Sequence, residues 1–249
     1  MQSRSDLGCG ERAGARGGAF RLIFAFASAL TVAASLAGAQ ESALRLVRLR
    51  DVDPTIEQEM IYATAHNFTG KPVPGYEAAE CWLAEPAARA LSRAQADARI
   101  KGFSLLVYDC YRPEKAVAAF VAWATTPGDE EKKYYPHLKK SQLIPTYIAS
   151  PSGHSTGLAV DVTLIEVGKP IAISEGSGDC TAPPGERYGD NSVDMGTAFD
   201  CFDPKASTAF PAVTEAQRRS RQLLHAIMED AGFVNYPEEW WHFTFKRSQ

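Results

Sequence analysis

Eight residues constrain the fold of this 249-residue chain more than any others: from Gly157 to Leu164 apolar and less apolar positions alternate without a break. Leu158, Val160, Val162 and Leu164 share one face, and Ala159, Asp161 and Thr163 share the other. A period of two over that length is a β-strand, because a helix would scatter the same residues round its axis. A strand needs sheet neighbours and a covering layer, so the chain must build a sheet with further elements packed on it. Asp161 is thereby set on the less apolar face, and His154 lies just ahead of the strand.

The remaining pattern supplies the cover. Between Glu85 and Ile100 the run E-P-A-A-R-A-L-S-R-A-Q-A-D-A-R-I predicts a helix with Pro86 at its first position and Gly102 just past its end. Ser104 to Tyr108 predicts a strand leading to Asp109. Pro113 opens a second helix to about Ala124, with Val117, Phe120, Val121 and Ala124 at helical spacing. Thr214 and Gln217 form a capping box for an amphipathic helix that carries Leu223, Leu224, Ile227 and Met228 and ends at Gly232. Trp241, Phe243 and Phe245 alternate with His242 and Thr244 as a last strand, and residues 165–213, rich in Gly, Pro, Ser and Asp, predict a long loop region. The expected fold is α+β: a single domain with a small central antiparallel sheet flanked by helices. No internal repeat, low-complexity tract or linker divides it.

Composition enters the argument at the N-terminus. Arg4, Arg12, Arg16 and Arg21 precede an apolar run from Leu22 to Leu36, and Ala37-Gly38-Ala39 puts small residues where a signal peptidase reads. Residues 1–39 are expected to be a secretory signal cleaved before Gln40, leaving the domain over residues 40–249. The apolar run is short for a membrane span of roughly 20 residues, so no stable span is expected after cleavage. The protein is expected to be exported, to the periplasm or the medium. Cysteine usage agrees: with Cys9 lost in the leader, Cys81, Cys110, Cys180 and Cys201 remain, an even number suited to a compartment where disulfides persist. Cys180 and Cys201 flank one Gly/Pro-rich excursion, which favours that pair and leaves Cys81–Cys110 by elimination. With 26 Lys+Arg against 30 Asp+Glu the formal charge is −4, and no basic cluster offers a face for phosphates, which argues against a nucleic-acid partner. Nothing in the sequence sets an oligomeric state.

The chemistry-bearing residues fall in two segments. Ser152 to Asp161 offers an imidazole and a carboxylate, and Glu238-Glu239-Trp240-Trp241-His242 offers two carboxylates and a second imidazole. Two neutral imidazoles and one carboxylate are a set that borderline-soft Zn²⁺ accepts in a catalytic site, with a fourth position left for water. A further carboxylate beside that water could take its proton. On a continuing strand Glu238 shares parity with His242 and Glu239 does not, yet Pro237 signals a bend, so both glutamates stay candidates. Each of these residues taken singly also suits a hydrogen-bonded structural position, and Trp-Trp-His suits core and rim.

Taken together, S-x-H-x-x-G-x-A-x-D and a distant E-x-W-H resemble the zinc peptidases that cut D-amino-acid bonds in peptidoglycan precursors, the D-alanyl-D-alanine metallopeptidase superfamily. Within it the chain is most similar to the D-Ala-D-Ala dipeptidases of the type found in vancomycin-resistance clusters. Tyr62 to Val73, Tyr108-Asp109-Cys110-Tyr111-Arg112-Pro113, Asp194 to Asp200 and Glu239 to Phe243 carry the likeness in order along the chain. The resemblance implies one zinc ion per chain, held by His154, Asp161 and His242 in a cleft on the sheet, with Glu239 as base and later as acid for the leaving amine. It implies that Arg112 reaches the carbonyl oxygen as charge develops there. On the residues alone an ion pair between Arg112 and Asp109 is the simpler role. Asp200 would bind the ammonium of a small D,D-dipeptide, with Tyr62 and Ser152 lining the pocket.

Two departures from the compact family pattern bear on specificity: Glu166 to Val193 looks inserted, and Gly153 stands where a second serine often precedes the histidine. The activity expected is zinc-dependent hydrolysis of free D-Ala-D-Ala by an exported enzyme, for wall turnover or nutrient recovery. A D,D- or L,D-carboxypeptidase trimming stem peptides is the alternative, against which Trp240-Trp241 and the Asp194–Asp200 segment speak. A catalytically dead wall-binding module is a third, and the complete ligand set with Glu239 speaks against it.

Overall fold

The computed structural model describes residues 44–128 and 131–246, so the leader read at residues 1–39 lies outside the described residues. In chain order the regular elements are β1 (Leu46–Arg48), α1 (Leu49–Val52), β2 (Glu57–Gln58), β3 (Trp82–Ala84), α2 (Glu85–Ile100), β4 (Phe103–Asp109), α3 (Glu114–Thr125), β5 (Ala159–Glu166), α4 (Glu215–Asp230), β6 (Phe233–Asn235) and β7 (His242–Phe245).

The alternating stretch is β5, the middle strand of a five-stranded sheet ordered β2-β4-β5-β7-β6. Every neighbour pair in the sheet is antiparallel except β2 with β4. That parallel pair has a topological cause: between β2 and β4 the chain passes through α2, and a crossover helix returns it in the same direction. β5 is buried from Ala159 to Ile165, so its less apolar face is covered too, and Asp161 and Thr163 are interior residues. β1 and β3 form a separate two-stranded ribbon, which the sequence pattern did not signal.

Helix α2 starts and stops as its punctuation predicts, with Pro86 in the first turn and Gly102 at φ +87° beyond the end. Its buried side is Ala87, Ala88, Ala90, Leu91, Ala94, Gln95 and Ala98, and the alanines among them let the helix lie close against β4. The Thr214–Gln217 capping box opens α4, whose Leu224, Ile227 and Met228 are fully buried, each worth roughly 1.5–3 kcal/mol of burial. From residue 167 to 213 the only helical turn among the described residues is Pro204–Ala206. Both expected disulfides, Cys81–Cys110 and Cys180–Cys201, are formed. No helix among the described residues is long and apolar enough to cross a membrane.

Candidate active site

Strand register assembles the centre. Asp161 on β5 lies opposite Asp109 on β4 and opposite His242 on β7. Regular pairing beyond Val107↔Val162 would bring Tyr108 opposite Asp161, but a bulge between Val107 and Asp109 brings Asp109 there instead. One extra residue in a strand re-aims the side chains that follow it. Tyr108 turns to Asp190, and Asp109 faces the site.

His154 reaches the same place from a 3₁₀ turn, Gly153–Thr156, capped by the Ser152 hydroxyl accepting from the His154 N–H at 3.3 Å. The turn closes at Gly157, φ +72°, where a Cβ would stand 2.6 Å from the Leu46 side chain. Only glycine fits that conformation in that space. The His154 Nδ1 donates to the Cys110 carbonyl at 2.8 Å, which leaves Nε2 as a free lone pair.

That lone pair converges with two other ligand atoms. His154 Nε2 is 3.0 Å from His242 Nδ1 and 3.3 Å from Asp161 Oδ1, and His242 Nδ1 is 2.9 Å from Asp161 Oδ1. Tetrahedral N/O ligands on a zinc-sized ion stand roughly 3.3–3.5 Å apart, so three donors already within a few tenths of an ångström of that spacing fit such an ion. Their protonation suits it as well. Burial lowers the His242 pKa and favours the neutral ring. Burial alone would raise the Asp161 pKa, but the two imidazoles beside it hold its carboxyl well below the usual range. Ligands must be deprotonated to bind a metal, and the shifts at His242 and Asp161 run in that direction.

Around the triad a cavity of about 230 Å³ is lined by Tyr62, Arg112, Ser152, Asp200, Glu239 and aromatic rings that include Phe120 and Phe202. Ligand pockets for drug-sized molecules run to roughly 300–1,000 Å³, so this one suits a smaller guest. The two glutamates part company here. Glu238 is exposed and accepts from the Ser207 hydroxyl at 2.9 Å, whereas Glu239 is buried with a carboxylate oxygen 4.0 Å from His242 Nδ1. The strand-parity argument for Glu238 does not apply, because residues 238–241 form a turn and β7 begins only at His242. Burial, then the charges of Asp161 and Asp200, push the Glu239 carboxyl well above its ordinary value.

Arg112 combines the two roles that the sequence left as alternatives. Its Nε and Nη2 donate to Asp109 Oδ2 at 3.0 and 2.8 Å, and the guanidinium also faces the cavity beside the Phe120 ring at 5.0 Å. Asp200 is buried at φ +55°, a left-handed conformation that costs a non-glycine residue roughly 1–2 kcal/mol. Both of its carboxylate oxygens lie within reach of the Tyr62 hydroxyl, at 3.1 and 2.9 Å. Asp109 entered the sequence reading only as a partner for Arg112. It also accepts from the Tyr76 hydroxyl at 2.7 Å and lies 3.5 Å from His154 Nδ1. The Tyr108–Pro113 segment was its only signal, and nothing in that segment announces the bulge.

The model of peptidase family M15, described as D-Ala-D-Ala dipeptidase, matches residues 42–179 and 187–248. Of the stretch read as an insertion, Glu166 to Val193, only residues 180–186 fall outside that match. The chain is 38% identical over 185 residues to the D-alanyl-D-alanine dipeptidase of Enterococcus faecalis, covering 73% of this chain and 82% of that protein. It is 37% identical over 188 residues to the D-alanyl-D-alanine dipeptidase of Streptomyces coelicolor, covering 74% and 83%. With the D-alanyl-D-alanine dipeptidase of Escherichia coli it shares 33% over 206 residues, covering 82% and 86%.

Proposed function

The chain belongs to the M15 family of metallopeptidases, the D-Ala-D-Ala dipeptidase family, and on that premise we propose that it hydrolyses free D-alanyl-D-alanine with one zinc ion held by His154, Asp161 and His242. The observation that carries this reading is the lining of one small cavity: a metal-competent triad, the buried Glu239 and the buried Asp200–Tyr62 pair share it.

Asp200 receives the substrate ammonium through charge-assisted hydrogen bonds, with the Tyr62 hydroxyl fixing the carboxylate. Ser152 lines the pocket beside the His154 turn. Zinc, when bound, supplies a Lewis acid that polarises the scissile carbonyl and lowers the pKa of water. Glu239 takes a proton from the attacking water and delivers it to the leaving nitrogen, so one carboxylate serves as base and then acid. Arg112, pinned by Asp109, keeps a positive charge beside the carbonyl oxygen as that oxygen becomes anionic. Its rigid placement matters because only charge aimed in advance lowers the barrier without reorganisation.

Residues 1–39 are read as a cleaved leader, and the protein as an exported enzyme of wall turnover or nutrient recovery. Two buried disulfides support export, since such bridges persist in oxidising compartments. The test of the metal chemistry is chelation. The mature chain stripped of metal should lose D-Ala-D-Ala hydrolysis and regain it at about one equivalent of zinc per triad. Full activity in metal-free protein would reject the proposal. N-terminal sequencing of exported protein should begin at Gln40, and a retained leader would reject the cleavage.

A further inference from the structure

The Cys81–Cys110 bridge stands directly behind the metal-facing residues. Cys110 is fully buried, follows Asp109, and presents the carbonyl that orients the His154 ring at 2.8 Å. The next residue, Tyr111, donates its N–H to the Trp82 carbonyl at 2.9 Å. At the other end Cys81, also fully buried, precedes β3, and its N–H is held by the Gln58 side chain at 3.0 Å. β3 ends at Ala84, whose N–H donates to the Gly157 carbonyl at 2.8 Å, at the close of the turn that carries His154. The bridge therefore locks together the strand beneath His154 and the carbonyl beside its ring.

We propose that Cys81–Cys110 is a positioning element of the metal centre, and that metal affinity depends on this bridge being oxidised. The proposal rests on His154, Asp161 and His242 being the metal ligands. Reduction breaks the S–S bond, and two electrons and two protons convert it to two thiols. A phosphine reductant supplies the electrons and becomes the phosphine oxide, with water giving the oxygen and the protons. The Cys110 segment is then tied to the Cys81 end of β3 only through non-covalent contacts such as the Tyr111–Trp82 hydrogen bond. Losing the outer partner of a metal-binding histidine typically costs 10–100-fold in affinity. The second bridge provides contrast: Cys180 and Cys201 lie on the Asp200 side, with the Cys180 N–H on the Lys133 carbonyl and the Ala198 N–H on the Cys180 carbonyl. A consequence is that the chain in a reducing compartment would load zinc poorly.

The test is zinc affinity of the mature chain by competition with a chromophoric chelator, with circular dichroism to confirm folding. Cys81→Ala with Cys110→Ala should weaken zinc binding about 10–100-fold, and Cys180→Ala with Cys201→Ala should stay within about threefold of wild type. Affinity within about threefold for the first pair, or an equal loss for both pairs, overturns the proposal. If the first pair does not fold, the Cys180→Ala with Cys201→Ala protein, which keeps Cys81 and Cys110, is measured after phosphine reduction instead. It should show the same loss. Unchanged affinity there overturns the proposal, and so does an unfolded reduced chain, because the bridge is then a folding staple. Wild type that binds no zinc would sink the ligand reading and this proposal together, whereas zinc-binding wild type with an equally tight variant would sink this proposal alone.

Discussion

A carboxylate taken out of water must be met by cations or hydrogen bonds, or it takes up a proton. Asp109 and Asp200, both buried, answer this demand differently. Asp109 accepts from Arg112, from Tyr76 and from the Cys110 N–H, so its charge is fully compensated. Asp200 accepts from the Tyr62 hydroxyl and has no ion pair among the described residues, and burial together with the Asp161 charge pushes its carboxyl well above the ordinary value. A guest that brings its own ammonium supplies the missing cation. Asp200→Asn should therefore lower kcat/KM for D-Ala-D-Ala by on the order of 10²-fold, about 3 kcal/mol, with zinc content unchanged. Steady-state kinetics with metal analysis checks this, and a loss under about threefold would remove Asp200 from substrate binding. Glu239→Gln keeps the shape of the side chain and removes its proton traffic. It should fold and bind zinc while kcat falls about 10²–10⁴-fold. Turnover within about tenfold of wild type would take the base role away from Glu239.

At the scale of elements, β4 serves two environments because of its bulge. Asp109 faces the active site, while Tyr108 bonds Asp190, which lies beside Glu59, at a separate cavity of about 260 Å³ that shares no lining residue with the first. Burial, reinforced by Asp190, pushes the Glu59 carboxyl up to about 8 from 4.5. The folded chain thus holds a proton that the unfolded chain releases, so the contribution of this pair is complete below about pH 4.5 and is lost as pH rises through about 8. Urea unfolding should show stability falling across that window, by no more than ~1.4 kcal/mol per pH unit and less where water screens the pair. Glu59→Gln should flatten the slope, and identical slopes for the two proteins would contradict a proton held on Glu59 in the folded chain.

The same strand shows what the sequence could convey. Alternation in β5, proline and glycine punctuation in α2 and the capping box of α4 are local signals, and the helices and strands they predict are present. The bulge in β4, the β1–β3 ribbon and the parallel β2 edge depend on partners far along the chain, and nothing local encodes them. The site divides along the same line. His154, Asp161 and His242 stood out by residue type, whereas the choice between Glu238 and Glu239 required the turn at residues 238–241 or a family likeness. Asp109 could not be separated from an ordinary ion-pair partner until register brought it opposite Asp161.

Across the whole molecule, β5, β7 and the 3₁₀ turn that carries His154 bring the metal-competent triad to one place in a cavity that holds the buried Asp200 at another. That layout is a ruler for short substrates: the triad locates the scissile bond, and Asp200 locates a free amine. A carboxypeptidase on the same triad would tolerate a blocked or extended amine, because it grips the other end. The most direct measurement is hydrolysis of D-Ala-D-Ala against N-acetyl-D-Ala-D-Ala by the zinc-loaded mature chain. The account predicts that the free dipeptide is cut and that acetylation lowers kcat/KM by on the order of 10²-fold or more, the scale of a lost buried charged hydrogen bond. Equal hydrolysis of the two would contradict it and make the enzyme a carboxypeptidase.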